Sequence, residues 1–171
     1  MICPTCGADN LPGSEECSNC QLPLAPLDRP TAQNKVERSL MEDRVSALRP
    51  NAPITLPPDA PVSAAIAAML DHNCGAVLVV DGAGRLLGIF SERDLLSKVA
   101  GVHPTYAHLP VSQFMTPNPE TVTAADTLAF ALHKMDSGGY RHIPVVDGAR
   151  ATGVVSVRDM LRHITRLCKD H

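Results

Sequence analysis

The stretch GIFSERD at residues 88–94 returns later in the chain as GVVSVRD at residues 153–159. Each copy has a glycine, two apolar residues and a serine, followed after one position by an Arg-Asp pair. The apolar run predicts a strand, and the residues after it predict a helix. Each copy therefore predicts a strand-to-helix corner with a hydroxyl, a carboxylate and exposed helix amides. Such a corner suits a sugar diol next to a phosphate.

The repetition extends beyond these two stretches. Thr55 recurs as Thr121, 66 positions later, and VVDG at residues 79–82 recurs at residues 145–148. After the Asp-Gly turns the offset falls to 65. This places one deletion in a turn, where deletions are best tolerated. Two copies with so long a period indicate paired modules rather than a solenoid.

Composition limits the class of protein. The chain has 171 residues, 44% of them hydrophobic, and a formal charge of −3. This size fits one compact domain with a small appendage, and the weak acidity predicts neither nucleic acid nor an anionic membrane as a partner. No apolar stretch approaches the ~20 residues of a membrane helix, and no secretory signal is visible. We therefore expect a cytoplasmic protein.

Four of the six cysteines form two CxxC pairs near the N-terminus: Cys3, Cys6, Cys17 and Cys20. Four thiolates at this spacing suit one tetrahedral zinc ion. Residues 1–24 contain too few apolar side chains for a core, and a structural zinc can contribute on the order of 10–16 kcal/mol to folding. The alternatives are a redox CxxC pair, which needs a strand-helix-strand unit, or two disulfides. The segment resembles the short bacterial zinc ribbons.

The partner of this ribbon is predicted from its charge. No Lys or Arg precedes Arg29, and basic side chains dominate affinity for nucleic acid. Contact with a protein, or a purely structural role, is therefore preferred.

Residues 25–48 are predicted to form a proline-rich linker followed by a lead helix from Thr31 to Leu48. That helix either packs on the main domain or dimerises.

Each repeat follows the order strand, helix, strand, strand, helix. The helices are predicted at residues 62–71 and 125–136, and the Asp-Gly pairs predict hairpin turns. The predicted strands cover residues 54–56, 76–80 and 86–90 in the first repeat, and residues 120–123, 143–146 and 151–155 in the second. This pattern predicts an α/β domain with two small sheets.

The duplicated region resembles a tandem pair of cystathionine-β-synthase (CBS) domains, also called a Bateman module. The resemblance is carried by the two Gly-x-x-Ser-x-x-Asp corners, by IPVVD at residues 143–147 and by Met-Thr-Pro at residues 115–117. It implies two βαββα repeats packed with pseudo-twofold symmetry, beside the small zinc ribbon. The predicted domains are a zinc ribbon at 1–24, a linker and lead helix at 25–48, and CBS repeats at 49–102 and 111–167.

The resemblance also implies a site. Clefts between the repeats would bind an adenine nucleotide, and two modules would pair into a homodimer. Asp94 and Asp159 would accept hydrogen bonds from ribose hydroxyls. The serines and arginines of the corners would contact phosphate or ribose: Ser91, Arg93, Ser156 and Arg158. The remaining predicted contacts lie near the base: Thr55, Ala76, Val77, Thr121, His142, Ile143 and Pro144.

Two questions stay open from the residues alone. Ser-x-x-Asp before an apolar helix also matches a capping box, which needs no ligand and is compatible with one. The second site looks better formed, because Thr121, Pro144 and Arg141-His142 are grouped with its corner, whereas the first repeat offers Leu78 and Gly75-Ala76.

No set of nucleophile, base and orienting group is recognisable, and no glycine-rich phosphate loop. The chain is therefore predicted to be a non-catalytic regulatory module that binds a nucleotide of the AMP, ADP or ATP type and signals to a partner. The alternative is an adaptor with empty ligand sites that binds a protein through its zinc ribbon.

Overall fold

The computed structural model describes residues 2–11, 14–24, 32–100 and 105–169. The chain divides into two compact units, Met1–Gln33 and Asn34–His171. The predicted proline-rich linker falls largely on residues 25–31, which lie outside the described ranges. Within those ranges, every helix falls short of the length and apolarity that a bilayer crossing requires. The finer domain boundaries remain predictions.

The first unit is built from two similar turns, each carrying one CxxC pair. In each turn a backbone amide returns to the carbonyl of the first cysteine: Gly7 to Cys3 at 3.0 Å, and Gln21 to Cys17 at 2.8 Å. Gly7 and Gln21 both have a positive φ, +72° and +59°. Both turns therefore place a left-handed residue after their second cysteine, which glycine adopts at lower cost than glutamine.

The second unit begins with a lead helix and continues into the first repeat. Its elements are α1 Lys35–Glu42, β1 Thr55–Leu56, α2 Val62–Asp71, β2 Ala76–Val80, β3 Leu86–Ser91 and α3 Glu92–Asp94. A π-helical turn over Leu95–Val99 extends α3. The helix predicted at residues 62–71 is confirmed. The lead helix is shorter than predicted, because Asp43 is extended and Val45–Leu48 form a separate 3-10 turn.

The second repeat follows the same plan with different lengths. Its elements are β4 Thr116–Pro117, α4 Leu128–Gly138, β5 His142–Asp147, β6 Arg150–Ser156 and α5 Val157–Lys169. α4 begins three residues later than the helix predicted from residue 125, because Thr127 caps it by accepting a hydrogen bond from the Phe130 amide. The strand predicted at residues 120–123 is reduced to one parallel bridge between Val122 and Val145.

The sheets exchange their edges between the repeats. One sheet has the order β1-β2-β3-β4, in which β1 and β2 are parallel and the other pairs antiparallel. β5 and β6 form an antiparallel pair, and Asn51 bridges to Val154 on β6. The segment that enters each repeat thus borders the return strand of the other repeat. The resemblance implied the pseudo-twofold packing of the repeats, and the structure adds this exchange of edges.

Each repeat has its own apolar core. Val77, Val79 and Phe90 in the first repeat, like Leu128 and Ile143 in the second, are fully buried. The second core also contains Val45, from the segment after α1, and α1 contacts α4 and α5. The lead segment therefore packs on the second repeat, which confirms the packing alternative predicted for it.

Candidate functional site

Both strand-to-helix corners form a capping box. The Ser91 amide and hydroxyl donate to Asp94 Oδ2 at 2.9 and 2.6 Å. The Ser156 amide and hydroxyl donate to Asp159 Oδ2 at 2.8 and 2.6 Å. In return, each aspartate amide donates to its serine Oγ, at 3.4 and 3.3 Å. The serine hydroxyls are therefore engaged by their own aspartates, and the two corners differ at the other carboxylate oxygen, Oδ1.

The corner of Asp94 faces a cavity of about 270 Å³, here called the Asp94 cleft. It is lined by residues 91–94 and 97–98 of the first repeat together with residues 116, 119–120 and 138–142 of the second. Asp94 Oδ1 lies 2.6 Å from Lys98 Nζ and accepts a hydrogen bond from Thr116 Oγ1 at 3.1 Å. Lys98 also donates to the Phe114 carbonyl at 3.0 Å.

The charge state of Asp94 follows from these contacts. Asp94 is only 7% exposed, and burial alone would raise the pKa of its carboxyl group. Hydrogen bonds from Lys98 and Ser91, and the charge of Lys98, outweigh that effect and hold the pKa of Asp94 below its ordinary value. Asp94 is therefore an ionised carboxylate neutralised from within the protein.

The corner of Asp159 faces a larger cavity of about 590 Å³, here called the Asp159 cleft. It is lined by residues 51–54, 66, 69–70 and 73–76 together with residues 154, 156–159 and 162. Among the described residues, Asp159 Oδ1 accepts a side-chain hydrogen bond from Arg162 alone, at 3.1 Å. The side chains of Arg162 and Asp159 are 66% and 21% exposed, so this ion pair is accessible to solvent.

Four residues line both clefts and form the wall between them: Gly75, Glu92, Arg141 and His142. The His142 ring lies directly against Gly75, where an added Cβ would stand 2.8 Å from the imidazole Cε1. Gly75 thus permits a contact that any larger residue would obstruct.

His142 is surrounded by charges of both signs. Burial lowers its pKa; Glu92 and Asp159 act to raise it, and Arg141 and Arg158 act to lower it further. The net result is a pKa below the ordinary value of histidine, which favours the neutral ring.

The clefts do not follow the grouping expected from the sequence. That grouping set Thr121 and Pro144 beside the Asp159 corner. The structure places this corner opposite residues 51–54 and 73–76 of the other half of the module, because the entering segment of each repeat borders the other repeat's return strand. Arg141 and His142, which were assigned to the second site, contribute to both clefts.

The predicted contact residues accordingly divide into two sets. Those that line a cleft are Ala76, Ser91, Arg93, Asp94, His142, Ser156, Arg158 and Asp159. Among the described residues, those that line neither cleft are Thr55, Val77, Thr121, Ile143 and Pro144. Val77 and Ile143 are fully buried in the two cores. Arg93 donates to the Gly139 carbonyl at 2.8 Å and so ties the repeats together.

Sequence reasoning missed Lys98, Thr116 and Glu92. The sequence shows that Lys98 and His163 differ at equivalent repeat positions. It does not show which groups surround Asp94, because Thr116 reaches Asp94 only through the strand that the second repeat adds to the first sheet.

The four N-terminal cysteines form a compact cluster that could bind a metal ion. Their sulfur atoms lie within 4.8 Å of one another, and the pairs Cys3–Cys20 and Cys6–Cys17 are 3.6 Å apart. A tetrahedral zinc with ~2.3 Å bonds would hold its sulfurs about 3.8 Å apart. The cluster thus fits one tetrahedral ion of that size.

The pKa values of the cysteines also favour a bound cation. Hydrogen bonds from the Cys20 and Asn19 amides lower the pKa of Cys17 to about 6. A backbone hydrogen bond from Leu22 acts in the same direction on Cys20, but burial and the neighbouring sulfurs outweigh it and raise the pKa of Cys20 to about 12. The opposite directions of these two pKa changes show that neighbouring sulfurs disfavour one another's ionisation, and a bound divalent cation would stabilise all four as thiolates.

The chain belongs to the CBS-domain family, whose model matches residues 40–101 and 111–166. An uncharacterized 17.7 kDa protein in the bps2 3′ region of Acidianus ambivalens is 29% identical over 123 residues, 71% of this chain and 73% of that protein. The CBS domain-containing protein CBSCBSPB1 of Arabidopsis thaliana is 29% identical over 120 residues, which span 70% of this chain and 22% of that protein.

Solved structures share the fold. The CBS-domain containing protein ATU1752 from Agrobacterium tumefaciens superposes with a TM-score of 0.64 at 32% identity, covering 70% of this chain and 94% of that one. CBSX2, solved in complex with AMP, gives 0.63 at 20% identity, covering 74% and 98%. The CBS domain pair of MJ0100, solved with 5′-methylthioadenosine and S-adenosyl-L-methionine, gives 0.65 at 24% identity, covering 72% and 96%.

Proposed function

We propose that this protein is a non-catalytic regulatory module that binds an adenine nucleotide of the AMP, ADP or ATP type in the Asp159 cleft and signals to a partner. The observation that carries the proposal is the partly exposed carboxylate of Asp159, which lines a cavity of about 590 Å³ between the repeats. Small-molecule sites usually measure ~300–1,000 Å³.

The lining of the Asp159 cleft offers a group for each part of a nucleotide. Ile54, Ile66 and Met69 supply apolar surface for a base. The Asp159 carboxylate can accept hydrogen bonds from a ribose diol. Arg141, Arg158 and Arg162 also line the cleft, and guanidinium groups form strong charge-assisted bonds with phosphate.

Proteins of the same fold support an adenosine ligand, since CBSX2 was solved with AMP and the MJ0100 pair with 5′-methylthioadenosine and S-adenosyl-L-methionine. Charge favours the phosphorylated member of this class. Three arginines and two carboxylates, Asp159 and Glu92, line the Asp159 cleft. Such a lining favours an anionic phosphate over a cationic sulfonium.

Signalling would pass from the cleft to α1 through α5. Asp159 lies in the first turn of α5. One turn later, His163 Nε2 lies 2.8 Å from Ser39 Oγ and 3.5 Å from Asp43 Oδ2, both on the lead segment. A ligand that binds more tightly to the module with this contact formed than with it broken, or the reverse, would shift the population between these two states. The Ser39 hydroxyl and the Asp43 carboxylate both contact Nε2 of His163. In a hydrolytic triad, by contrast, the serine and the carboxylate contact different nitrogens of the histidine.

Zinc is the ion we propose for the cysteine cluster, in a structural role, because four thiolates leave no open coordination position. A reducing compartment such as the cytoplasm keeps these thiols available.

We also propose that two copies of the chain form a homodimer. Leu96 and Leu161 occupy equivalent repeat positions and are 71% and 59% exposed. A monomeric mass by light scattering at micromolar concentration would contradict it.

A second candidate function is that of an adaptor with empty ligand sites. It is favoured by two exposed apolar side chains of the ribbon, Ile2 and Leu11, which are 71% and 80% exposed and suit contact with a protein.

A thermal-shift panel with AMP, ADP, ATP and S-adenosylmethionine separates the two candidates. A ligand at 100 times its dissociation constant adds ~2.7 kcal/mol, which raises the melting temperature of a domain of this size by roughly 5–10 °C. Asp159→Asn, which should weaken binding roughly 10-fold or more, should reduce the shift to about half or less, and Asp136→Asn, an exposed residue of α4 outside both clefts, should retain it. If none of the four ligands shifts the melting temperature of protein shown to be nucleotide-free, the nucleotide-binding proposal fails and the adaptor remains as the candidate function.

A further inference from the structure

Lys98 and His163 occupy the same position in the two repeats, four residues after the corner aspartate. Lys98 turns onto its own corner, where its Nζ contacts Asp94 Oδ1 at 2.6 Å and donates to Thr116 Oγ1 at 3.2 Å. His163 turns away from its corner and contacts Ser39 at 2.8 Å. The side chains at this equivalent position therefore point in opposite directions, Lys98 towards its corner aspartate and His163 away from it.

The consequence appears in the acceptor capacity of each carboxylate. A carboxylate offers about four lone-pair positions. Asp94 uses all of them within the protein: two for Ser91, one for Thr116 and one for Lys98. Asp159 uses two for Ser156 and one for Arg162. Only Asp159 retains a position for an incoming hydroxyl.

We propose that Lys98 is a built-in cation that closes the Asp94 corner to a ribose, so that each chain binds one nucleotide, in the Asp159 cleft. This inference rests on the proposed function and adds to it the number of sites and the residue that sets that number.

The two ion pairs differ in how readily a ligand could replace them. In the Asp94–Lys98 pair the carboxylate side chain is 9% exposed and the lysine 41% exposed, and moving Lys98 away would leave a buried carboxylate without its counter-charge. In the Asp159–Arg162 pair the arginine is 66% exposed, and such surface pairs contribute little. Arg162 can therefore release Asp159 and turn to the phosphate.

Two further differences act in the same direction. Ile54 lines the Asp159 cleft, and its repeat equivalent in the Asp94 cleft is Glu120. Glu120 is ion-paired with Lys134 at 2.7 Å, so the Asp94 cleft has a charged pair where Ile54 offers apolar surface to a base in the Asp159 cleft. The Asp94 cleft is also the smaller, at about 270 Å³ against about 590 Å³.

Isothermal titration of the full chain tests the inference, with AMP or the nucleotide that gives the largest thermal shift. We expect one equivalent per chain. Asp159→Asn should weaken binding by roughly 10-fold or more, because it removes a charged hydrogen-bond acceptor. Asp94→Asn should leave the dissociation constant unchanged. Lys98→Met should add a second equivalent, and the control Lys35→Met, at an exposed position of α1, should not.

The outcomes separate this inference from the proposed function. Two equivalents in the unmodified chain, or one equivalent in a folded Lys98→Met variant, would overturn the role of Lys98 and leave nucleotide binding intact. No binding at all would overturn the proposed function. Should Lys98→Met fail to fold by circular dichroism, the two aspartate variants decide: equal losses of affinity in both would refute a single site.

Discussion

The cysteine cluster and the Asp159 cleft are assembled over very different distances along the chain. The two sulfur pairs of the cluster at 3.6 Å join residues 11 and 17 positions apart. The cleft joins residues 51–54 to residues 156–159, and the Ser39–His163 contact beside it spans 124 positions. A site built from neighbours can be recognised from spacing. A site built by exchanging strands needs the fold.

The two regions also differ in what stabilises them. The buried apolar cluster of the ribbon consists of Cys3, Cys17 and Leu24. The duplicated module has two cores with fully buried Val, Leu, Ile and Phe side chains. We infer that the ribbon depends on its metal and the module on packing, and three predictions test this contrast, beginning with the largest effect.

Removing the metal should unfold the ribbon and spare the module. Zinc binding supplies on the order of 10–16 kcal/mol to small structural sites, whereas packing maintains residues 34–169. After treatment with a strong chelator, hydrogen exchange measured by mass spectrometry should rise throughout residues 2–24 and stay unchanged in the module.

Two cysteine variants provide the control for this experiment. Cys6→Ser should reduce the bound zinc below one equivalent by elemental analysis, and Cys168→Ser, an exposed thiol of α5, should leave it at one. Full protection of the ribbon after complete metal removal would contradict a metal-dependent fold.

Breaking the Ser39–His163 contact should have a moderate effect confined to the module. His163→Ala removes one partly buried hydrogen bond, a loss of about 1–2 kcal/mol, and should lower the module's melting temperature by roughly 3–8 °C. His133→Ala, on the exposed surface of α4, makes the same chemical change. Equal shifts in the two variants would show that the long-range contact adds nothing beyond helix propensity.

The smallest effect should come from His142. Its pKa is lowered by burial in the folded chain, whereas the unfolded chain has the ordinary value of about 6.5. Between these two values the unfolded chain binds more protons. Stability should therefore be complete above the unfolded value and decline as the pH falls from there towards the lowered folded value.

His142→Asn removes the titrating ring. Urea unfolding between pH 7.5 and 5 should show a smaller loss of stability for this variant than for the unmodified chain. Parallel pH profiles would rule out a contribution from the buried imidazole.

Much of the fold was predictable, because the duplication repeats both the pattern and the motif. The helix at residues 62–71, the strand hairpins and the capping boxes are local features, and each follows from a few adjacent residues. The early end of α1 and the late start of α4 were not predicted, because each depends on the backbone or hydrogen bonding of a single residue, Asp43 or Thr127.

The site was predictable only in part. Asp94 and Asp159 were recognised from the same motif, yet the motif gave them the same expected role. Their difference arises from Lys98, Thr116 and Arg162, of which Thr116 belongs to the other repeat's entering strand.

The amino-acid order by itself determined the cysteine cluster, the duplication and the two capped corners. The cluster and the corners rest on residues close together in the chain, and the duplication is seen by comparing the two copies. The tertiary structure decided which halves face each other across the clefts, and that Asp94 is neutralised while Asp159 keeps a free acceptor position. The physical reason is that strand exchange brings side chains from distant segments within hydrogen-bond distance, and spacing along the chain does not encode that distance.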